Sequence, residues 1–380
     1  MQDIPVVIVG GGLSGLYAAF LLEQKGIAYR LLEARDTLGG RIAVAKYADA
    51  HTTNNSTGVD QAKSSAAFDL GPSWFWPDYQ TQLNTLIESL NLPRFAQFEE
   101  GGMMVERAAN QLPVRMQGYK SAPPSMRLVG GMATLIDALY ARLEASCVMT
   151  SQTVRQLTKD TQNIEVQSED SYGHVTTFRA QHVLLALPPR LVEGRIAFQP
   201  ALPQDLSEQW RKTATWMAPH AKYVAIYETP FWRDSNLSGA ARSAIGPLTE
   251  IHDASTLEGD GALFGFFGVP AQVRQSVSDT VLKEHCRAQL VRLFGAQAST
   301  PKAEYLKDWA QDPLTAMPAD ANGNGQHAVA PPSKPKSGVW KDCLTGCGSE
   351  WSAQFPGYVA GAIDAATVAV QSLPATILRQ

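Results

Sequence analysis

One lysine lies at the start of an apolar run, where its chemistry depends on its surroundings. Lys222 precedes residues 223–227, whose β-branched and aromatic side chains are typical of a packed β-strand. An ammonium group in an apolar setting is costly unless it is paired or its pKa falls. Two interpretations follow. Either Lys222 faces water on a strand edge, as most lysines do, or it lies in a site that needs an amine.

A glycine cluster near the beginning of the chain has the spacing of a dinucleotide-binding turn. Gly10, Gly12 and Gly15 follow the apolar run IPVVIVG, and a helical pattern then continues to Gly26. In this spacing Gly10 permits a tight turn, Gly12 lets the backbone approach a pyrophosphate, and Gly15 lets the helix pack on its strand. Glu33 ends the next predicted strand, where it would accept hydrogen bonds from a ribose. The order predicts a βαβ unit that binds a dinucleotide.

Length and composition indicate a globular protein with two domains. The 380 residues are 44% hydrophobic and 18% charged, and domains usually hold roughly 100 to 200 residues. A net charge of -4 gives no reason to predict nucleic-acid binding. Four cysteines are too few for a disulfide framework and favour a reducing compartment. We expect no metal, because Cys343 and Cys347 have no second Cys or His pair at finger-like spacing.

The apolar segments predict no membrane span and no secretion signal. The run at residues 4–9 lacks a basic leader and ends in the glycine cluster. The apolar segment near residue 370 is interrupted by Asp364, and no run approaches the ~18 residues that cross a bilayer. We therefore expect a soluble, cytoplasmic protein without a membrane partner.

Periodicity predicts the elements that must position these residues. Helical patterns cover residues 79–90, 132–143 and 276–294, and strand patterns cover 153–158, 163–170, 175–188, 222–227 and 262–269. The polar segment 45–68 and the Pro- and Gly-rich segment 312–337 are predicted as loops, and the C-terminal part as strand, glycine turn and helix. Strand alternation makes Phe264, Phe266 and Phe267 core residues in this interpretation.

Five stretches in this order resemble the flavin-containing amine oxidase family, the group of monoamine and polyamine oxidases: GGGLSG, LLEARDTLGGR, FDLGPSW, AKYVAIYETPFW and GSEWSAQFPGYVAGAI. The resemblance spans nearly the whole chain, and its GGR extension after the EAR triplet favours FAD over a pyridine nucleotide. It implies an α/β fold in which a Rossmann-like FAD-binding domain is interleaved with an α+β substrate domain. The FAD domain would comprise residues 1–75, 146–211 and 332–380, and the substrate domain 76–145 and 212–331.

The resemblance also implies the residues of the site. Lys222 would hold a water against the flavin N5, and Trp74, Trp76 and Tyr358 would line the substrate pocket. Trp309 is a further aromatic residue that would approach the flavin. The implied cofactor-binding positions are Gly10, Gly12, Leu13, Ser14, Gly15, Glu33, Ala34, Arg35, Gly40, Arg41, Gly71, Pro72, Ser73, Trp74, Val154, Glu350 and Val359.

The implied reaction is the oxidation of a small amine by FAD and O2. A hydride equivalent would pass from the amine α-carbon to N5, water would hydrolyse the imine, and reoxidation of the flavin by oxygen would give hydrogen peroxide. No acidic cluster is evident for a polyamine, which favours a monoamine. Tyr358 matches one of two cage tyrosines of the monoamine oxidases, but the second position, near Ala319, has no aromatic residue. That segment has no cysteine either, so we expect noncovalent FAD.

Two alternatives stay open. An L-amino acid oxidase or a desaturase-type flavoprotein can have the same fold and fingerprint. An amino acid substrate would need an arginine for its carboxylate, for which Arg115 is a conceivable candidate, whereas a desaturase would not need Lys222. A flavin-binding regulatory protein without turnover is the second alternative, since fold does not establish function. The sequence does not determine the oligomeric state or the amine.

Overall fold

The structure, a computed structural model, describes residues 2–47, 66–257, 259–321 and 329–378. Its strands are β1 Gln2–Val9, β2 Tyr29–Leu32, β3 Val44–Tyr47, β4 Ala66–Asp69, β5 Arg94–Ala96, β6 Gly102–Glu106, β7 Val114–Gln117, β8 Met126–Leu128, β9 Val148–Met149, β10 Thr153–Lys159, β11 Ile164–Glu169, β12 Val175–Leu185, β13 Ala197–Gln199, β14 Ala221–Tyr227, β15 Leu237–Ser243, β16 Leu248–Asp253, β17 Gly261–Phe267, β18 Ala303–Asp308 and β19 Leu344–Gly346. Its α-helices are α1 Leu13–Gln24, α2 Thr81–Ser89, α3 Ala133–Tyr140, α4 Pro189–Arg195, α5 Gln204–Lys212, α6 Ala271–Arg274, α7 Asp279–Phe294, α8 Val359–Gln371 and α9 Ala375–Leu378.

The first sheet contains the predicted βαβ unit. Its strands follow the order β13-β10-β11-β12-β1-β2-β9, and β19 pairs with β12. β1 is parallel to both β2 and β12, and α1 connects β1 to β2. The predicted Rossmann-like α/β architecture is confirmed. Because ligands of such sheets bind beyond the carboxyl ends of the parallel strands, the residues that follow Val9 and Leu32 lie at the binding edge.

Apolar layers cover both faces of this sheet, which explains the unbroken apolar run of β1. Val6 and Ile8 pack into the layer that includes α1, α3 and α8. Val7 and Val9 pack into the opposite layer, which includes three buried tryptophans, Trp210, Trp340 and Trp351. Alternation along one strand therefore supplies both cores.

The second sheet carries Lys222. Its strands follow the order β18-β14-β17-β16-β15-β6-β7, and the neighbours are antiparallel except for β15 and β6. Tyr223 packs into the layer that contains α7, whereas Val224 and Ile226 pack on the opposite face. The two-residue period of a strand places Lys222 on that opposite face as well.

Most predicted elements are present, with shifted ends. The helix predicted from residue 276 begins at Asp279, because the Ser278 side chain accepts a hydrogen bond from the Val281 N–H group and caps it. The predicted loop 45–68 begins and ends in the paired strands β3 and β4, and residues 48–65 lie outside the described part. The elements that were not predicted include β5–β9, β13, β15, β16, β18 and α4–α6.

The strands divide between the two sheets by chain segment. Every strand of the first sheet lies within residues 1–75, 146–211 or 332–380, and every strand of the second lies within 76–145 or 212–331. Within the described ranges, no helix is long and apolar enough to cross a membrane.

Candidate active site

A cavity of about 380 Å³ lies between the carboxyl edge of the first sheet and the Lys222 face of the second. It brings together the two features that the sequence singled out, the glycine turn and the lysine. The predicted site residues in its wall are Gly10, Gly12, Leu13, Ser14, Glu33, Arg35, Gly40, Arg41, Gly71, Pro72, Ser73, Trp74, Trp76, Lys222, Tyr358 and Val359.

Four residues predicted to bind the cofactor, Gly15, Ala34, Val154 and Glu350, are not part of this wall. A Cβ atom on Gly15 would lie 1.9 Å from the Gly10 carbonyl oxygen, so this glycine permits the close packing of α1 on the turn. Val154 is buried in an apolar layer of the first sheet. Glu350 is buried behind Arg41. Direct contact of these four residues with a cofactor stays a prediction.

The glycine turn and Glu33 are joined by hydrogen bonds. The Gly11 N–H donates to Glu33 Oε2 at 2.6 Å, and the Arg35 N–H donates to Glu33 Oε1 at 2.8 Å. Gly10 has a φ of +107°, which favours glycine. A Cβ atom on Gly12 would meet nothing nearer than 3.9 Å, so the turn leaves open space there. Open backbone at a helix N-terminus, with an acid at the next strand end, fits a dinucleotide.

An ion pair between the partly exposed Arg41 and the buried Glu350 places a positive charge in the wall. Arg41 Nη2 donates to Glu350 Oε2 at 3.0 Å and to Ser349 Oγ at 3.0 Å. Burial opposes the charge of Arg41, but the Glu350 carboxylate outweighs burial and the pKa of Arg41 lies above its ordinary value. Arg41 is therefore a fixed cation that faces the cavity.

Lys222 is buried, with 2% of its surface exposed. Its Nζ donates to the Gly71 carbonyl at 3.0 Å and to Ser73 Oγ at 2.8 Å, and it lies 4.0 Å from the centre of the Phe264 ring. Burial lowers the pKa of Lys222 from 10.5 to about 7, even though Asp69 acts in the opposite direction. The interpretation as a water-facing edge lysine is wrong. The amine is placed in the cavity and titrates near neutral pH.

Two further buried charges surround this lysine. Asp69 Oδ1 accepts from the Met132 N–H at 2.8 Å. Burial raises the pKa of Asp69 despite the nearby Lys222 and Arg127. Arg127 donates to the carbonyls of Ala254 and Ser255, each at 2.9 Å, and burial lowers its pKa. Sequence reasoning missed both residues: Asp69 lies within FDLGPSW, but the implied cofactor positions of that stretch begin at Gly71, and Arg127 lies outside the five stretches.

Aromatic residues form much of the wall around Lys222. Besides the predicted Trp74, Trp76 and Tyr358, the wall includes Trp216, Phe264, Phe266 and Trp309. The Trp216 and Tyr358 rings lie with their centroids 6.0 Å apart and their planes at 35°. No pattern predicted Trp216. The only available signal was that it lies six residues before Lys222 in the sequence.

The core prediction for the phenylalanines of β17 is confirmed for Phe264 and Phe267, whereas Phe266 is only partly buried. Phe264 and Phe266 share one face of the strand, and both line the cavity. Phe267 faces the other way and packs in the layer that contains α7. Strand alternation predicts the two faces of β17, but the sequence does not show that one face lines a cavity.

Two positions that the sequence considered for the substrate, near Ala319 and at Arg115, lie outside the cavity wall. Ala319 is exposed and does not line the cavity. Leu314 and Thr315, which precede it in the same segment, do line the cavity. Arg115 lies on the exposed edge strand β7, where its Nη2 donates to the Asn236 carbonyl at 2.9 Å. It is not a wall residue, so it is excluded as the partner of a substrate carboxylate in this cavity.

The sequence matches the family model described as flavin containing amine oxidoreductase over residues 109–373, and a model described as NAD(P)-binding Rossmann-like domain over residues 8–90. A probable flavin-containing monoamine oxidase A of Dictyostelium discoideum is 21% identical, across 94% of this chain and 95% of that protein. A putrescine oxidase of Kocuria rosea is 24% identical, across 82% of this chain and 83% of that protein.

Two solved structures show the same fold. A wild-type putrescine oxidase bound to putrescine superposes with a TM-score of 0.76 at 20% identity, covering 97% of this chain and 98% of that one. The cyclohexylamine oxidase from Brevibacterium oxydans superposes with a TM-score of 0.77 at 17% identity, covering 100% of this chain and 99% of that one.

Proposed function

The chain belongs to the flavin containing amine oxidoreductase family, and from that premise we propose that it oxidises a small apolar monoamine with noncovalent FAD and O2. Family membership makes the protein an FAD-dependent oxidoreductase that acts on amines. The proposal adds the substrate class, the roles of the residues and O2 as the electron acceptor.

The buried Lys222 is the observation on which the proposal rests. A lysine with 2% exposure and a pKa near 7 is costly to maintain, and perturbed groups of this kind cluster at functional sites. Its hydrogen bonds to Gly71 and Ser73 hold the Nζ at the cavity wall. We assign it the role of holding a water molecule beside the reacting amine.

The wall residues fit FAD in an extended pose. The glycine turn and the N-terminus of α1 would hold the pyrophosphate, Glu33 the ribose, and Arg41 with the 71–74 loop the flavin end. The chemistry that bound FAD supplies is acceptance of a hydride equivalent and a proton from the amine, which becomes an imine, and delivery of two electrons and two protons to O2, which becomes H2O2.

The charge pattern of the wall supports a monoamine. Among the described wall residues Glu33 is the one carboxylate, and its oxygens already accept the N–H groups of Gly11 and Arg35. A diamine would bring a second ammonium group that meets aromatic faces and no acid. A single amine with an apolar body leaves no buried charge unpaired.

The apolar setting also favours the neutral form of the amine. An ammonium group near Lys222 would be repelled by a protonated lysine and would lose its hydration against Trp74 and Phe264. Above pH 7 Lys222 is mainly neutral. The substrate would therefore react as a free amine, whose nitrogen lone pair assists the departure of hydride from the α-carbon.

Noncovalent attachment is supported by the positions of the cysteines. The four residues Cys147, Cys286, Cys343 and Cys347 are free, and none lines the cavity. No thiol is therefore available there for a bond to the flavin. Their free state also supports our proposal that the protein works in the reducing cytoplasm, which fractionation of cells expressing the tagged chain would test.

Anaerobic bleaching of the flavin tests the function directly. Small alkyl and aryl monoamines should remove the oxidised flavin absorbance, and admission of air should restore it with release of peroxide. Diamines and L-amino acids serve as comparison substrates. If no monoamine bleaches the flavin, the proposed activity is wrong.

Oxidation of an L-amino acid is the second candidate, and one relative favours it. An L-amino acid dehydrogenase of Synechocystis is 22% identical across 67% of this chain and 54% of that protein. The described wall, however, contains two arginines, Arg35 and Arg41, and both are already paired with carboxylates. Bleaching by amino acids but not by monoamines would reverse this ranking, and bleaching by neither would favour a regulatory flavoprotein.

A further inference from the structure

One carboxylate connects the two sides of the cofactor cavity. Asp312 Oδ1 accepts from Arg35 Nη2 at 2.8 Å, and Asp312 Oδ2 accepts from Lys307 Nζ at 2.7 Å. Arg35 follows β2 of the first sheet, and Lys307 lies on β18 of the second sheet. Asp312 therefore joins an element of the first sheet to one of the second, and it lies 277 positions from Arg35 in the sequence.

The segment 309–315 that contains this carboxylate forms part of the cavity wall. Trp309, Leu314 and Thr315 all line the cavity. Asp312 Oδ1 also accepts the Leu314 N–H at 3.0 Å, and Arg35 Nη2 reaches Thr315 Oγ1 at 3.2 Å. The Asp312 side chain thus stabilises both the fold of the segment and its attachment to the glycine-turn side, and the bond from Arg35 to Thr315 adds to that attachment.

The same carboxylate orders the aromatic end of the segment. Lys307, held by Asp312, places its Nζ 4.4 Å from the centre of the Trp309 ring. The Trp309 Nε1 in turn donates to the Leu70 carbonyl at 3.3 Å, one residue before the 71–74 loop that holds Lys222. Loss of the Asp312 carboxylate would release Lys307, and Trp309 would lose the cation that lies over its ring.

The electrostatics keep Asp312 ionised. Burial alone would raise its pKa, but the hydrogen bond from Lys307 and the charge of Arg35 outweigh burial, so the pKa of Asp312 lies below its ordinary value. The Asp312 side chain is 10% exposed, against 21% for Arg35 and 29% for Lys307. Charge-assisted hydrogen bonds in this degree of burial are stronger than surface ion pairs.

We infer that Asp312 is a positioning residue that retains the dinucleotide, because it holds the 309–315 segment of the cavity wall in place through Arg35 and Lys307. The inference rests on the noncovalent FAD of the proposed function. A cofactor without a covalent bond leaves when the wall opens, so the strength of this attachment sets its rate of release.

Release of FAD from the purified holoprotein tests the inference without any turnover. After dilution, the rise of flavin fluorescence gives the release rate for the parent, Asp312→Asn, Asp312→Glu, Lys307→Met and the double variant Lys307→Met/Asp312→Asn. Asp137→Asn is the control, since Asp137 is exposed on α3. Melting with saturating FAD verifies that each variant is folded.

We expect Asp312→Asn to release FAD about tenfold faster, because a charge-assisted bond between the two sides is lost. Asp312→Glu should restore much of the retention, and Asp137→Asn should match the parent. If the three charges act as one unit, the double variant releases FAD no faster than Asp312→Asn alone. High salt should accelerate release from the parent more than from Asp312→Asn.

A parental release rate in folded Asp312→Asn overturns the inference, and so do additive effects of the two single substitutions. If Asp312→Asn fails to fold, the FAD release rate of Lys307→Met is the test. A parental release rate in Lys307→Met then overturns the inference. Flavin that stays with the denatured chain overturns both the noncovalent cofactor and this inference. Failure of all amines to bleach the flavin overturns the proposed function only.

Discussion

The Lys222 ammonium nitrogen lies 4.0 Å from the centre of the Phe264 ring, a contact between neighbouring antiparallel strands β14 and β17. The ring face attracts a cation, but it also removes water from it. The resulting pKa near 7 makes the charge of Lys222 sensitive to its neighbours and to pH.

Lys222→Met should keep the fold and the FAD content and lose turnover. Methionine preserves the length of the side chain and removes its hydrogen bonds to Gly71 and Ser73. We expect flavin reduction or reoxidation to slow by about 100-fold or more, the range of a lost proton-handling group. Stopped-flow absorbance separates the two steps. Lys341→Met, at an exposed position, is the control, and parental rates in Lys222→Met would show that Lys222 is structural.

The stability of Lys222→Met relative to the parent should depend on pH. Below pH 7 the parent must bury a charged amine, whereas an unfolded lysine keeps its charge up to about pH 10.5. The unfolded parent thus binds more protons between pH 7 and 10.5, and its stability rises with pH there. The free-energy advantage of the variant should shrink across that range in urea titrations. A constant difference would mean that Lys222 titrates at its ordinary pKa.

Asp69→Asn should move the titration of the amine to lower pH. The Asp69 carboxylate raises the pKa of Lys222, and Arg127 lowers it, so removal of the carboxylate leaves burial and Arg127 to act together. Flavin reduction by a good amine should show an inflection near pH 7 in the parent and a lower one in the variant. An unmoved inflection would exclude Lys222 as its source.

Local patterns in the sequence predicted the parts of the fold that depend on neighbouring residues. The glycine turn, α1 and the acid at Glu33 lie within one βαβ unit, and each shows its role through spacing. Lys222 was noticed because a charge in an apolar run conflicts with its surroundings. The shifted start of α7 reflects a cap at Ser278 that competes with helical periodicity.

The missed residues depend on contacts that no local pattern records. Asp312 meets Arg35 from 277 positions away, and Asp69, on β4, approaches Lys222, on β14 of the second sheet, only through tertiary packing. Trp216 stands in a loop without periodicity. Phe264 is a core residue, as predicted, but its place in the cavity wall was not predicted, because a cavity wall and a core have the same composition. Tertiary packing, which the sequence encodes only globally, decides these cases.

Gly12→Val should give a folded, colourless protein. A Cβ atom at Gly12 has 3.9 Å of room and the backbone is extended, so valine fits the chain but fills the space for the pyrophosphate. Gly15→Ala is the contrasting variant, because its Cβ would strike the Gly10 carbonyl at 1.9 Å. It should lower the melting temperature. The flavin absorbance and circular dichroism of both variants provide the check. A yellow Gly12→Val protein would contradict the proposal that the glycine turn holds the pyrophosphate.

Trp216→Ala should widen the aromatic part of the cavity and change the preference among amines. The Trp216 ring lies 6.0 Å from Tyr358, and its backbone neighbour Thr215 is fixed by an N–H bond to the buried Asp320 at 2.9 Å. The loop should therefore keep its conformation after the substitution, while the cavity becomes larger at this position. An aromatic contact contributes about 1 kcal/mol, so kcat/KM for a small amine should fall about fivefold to tenfold, and bulky amines should lose less. Tyr358→Phe keeps the ring and serves as the matched control. Equal losses for small and bulky amines would show that Trp216 does not shape the substrate site.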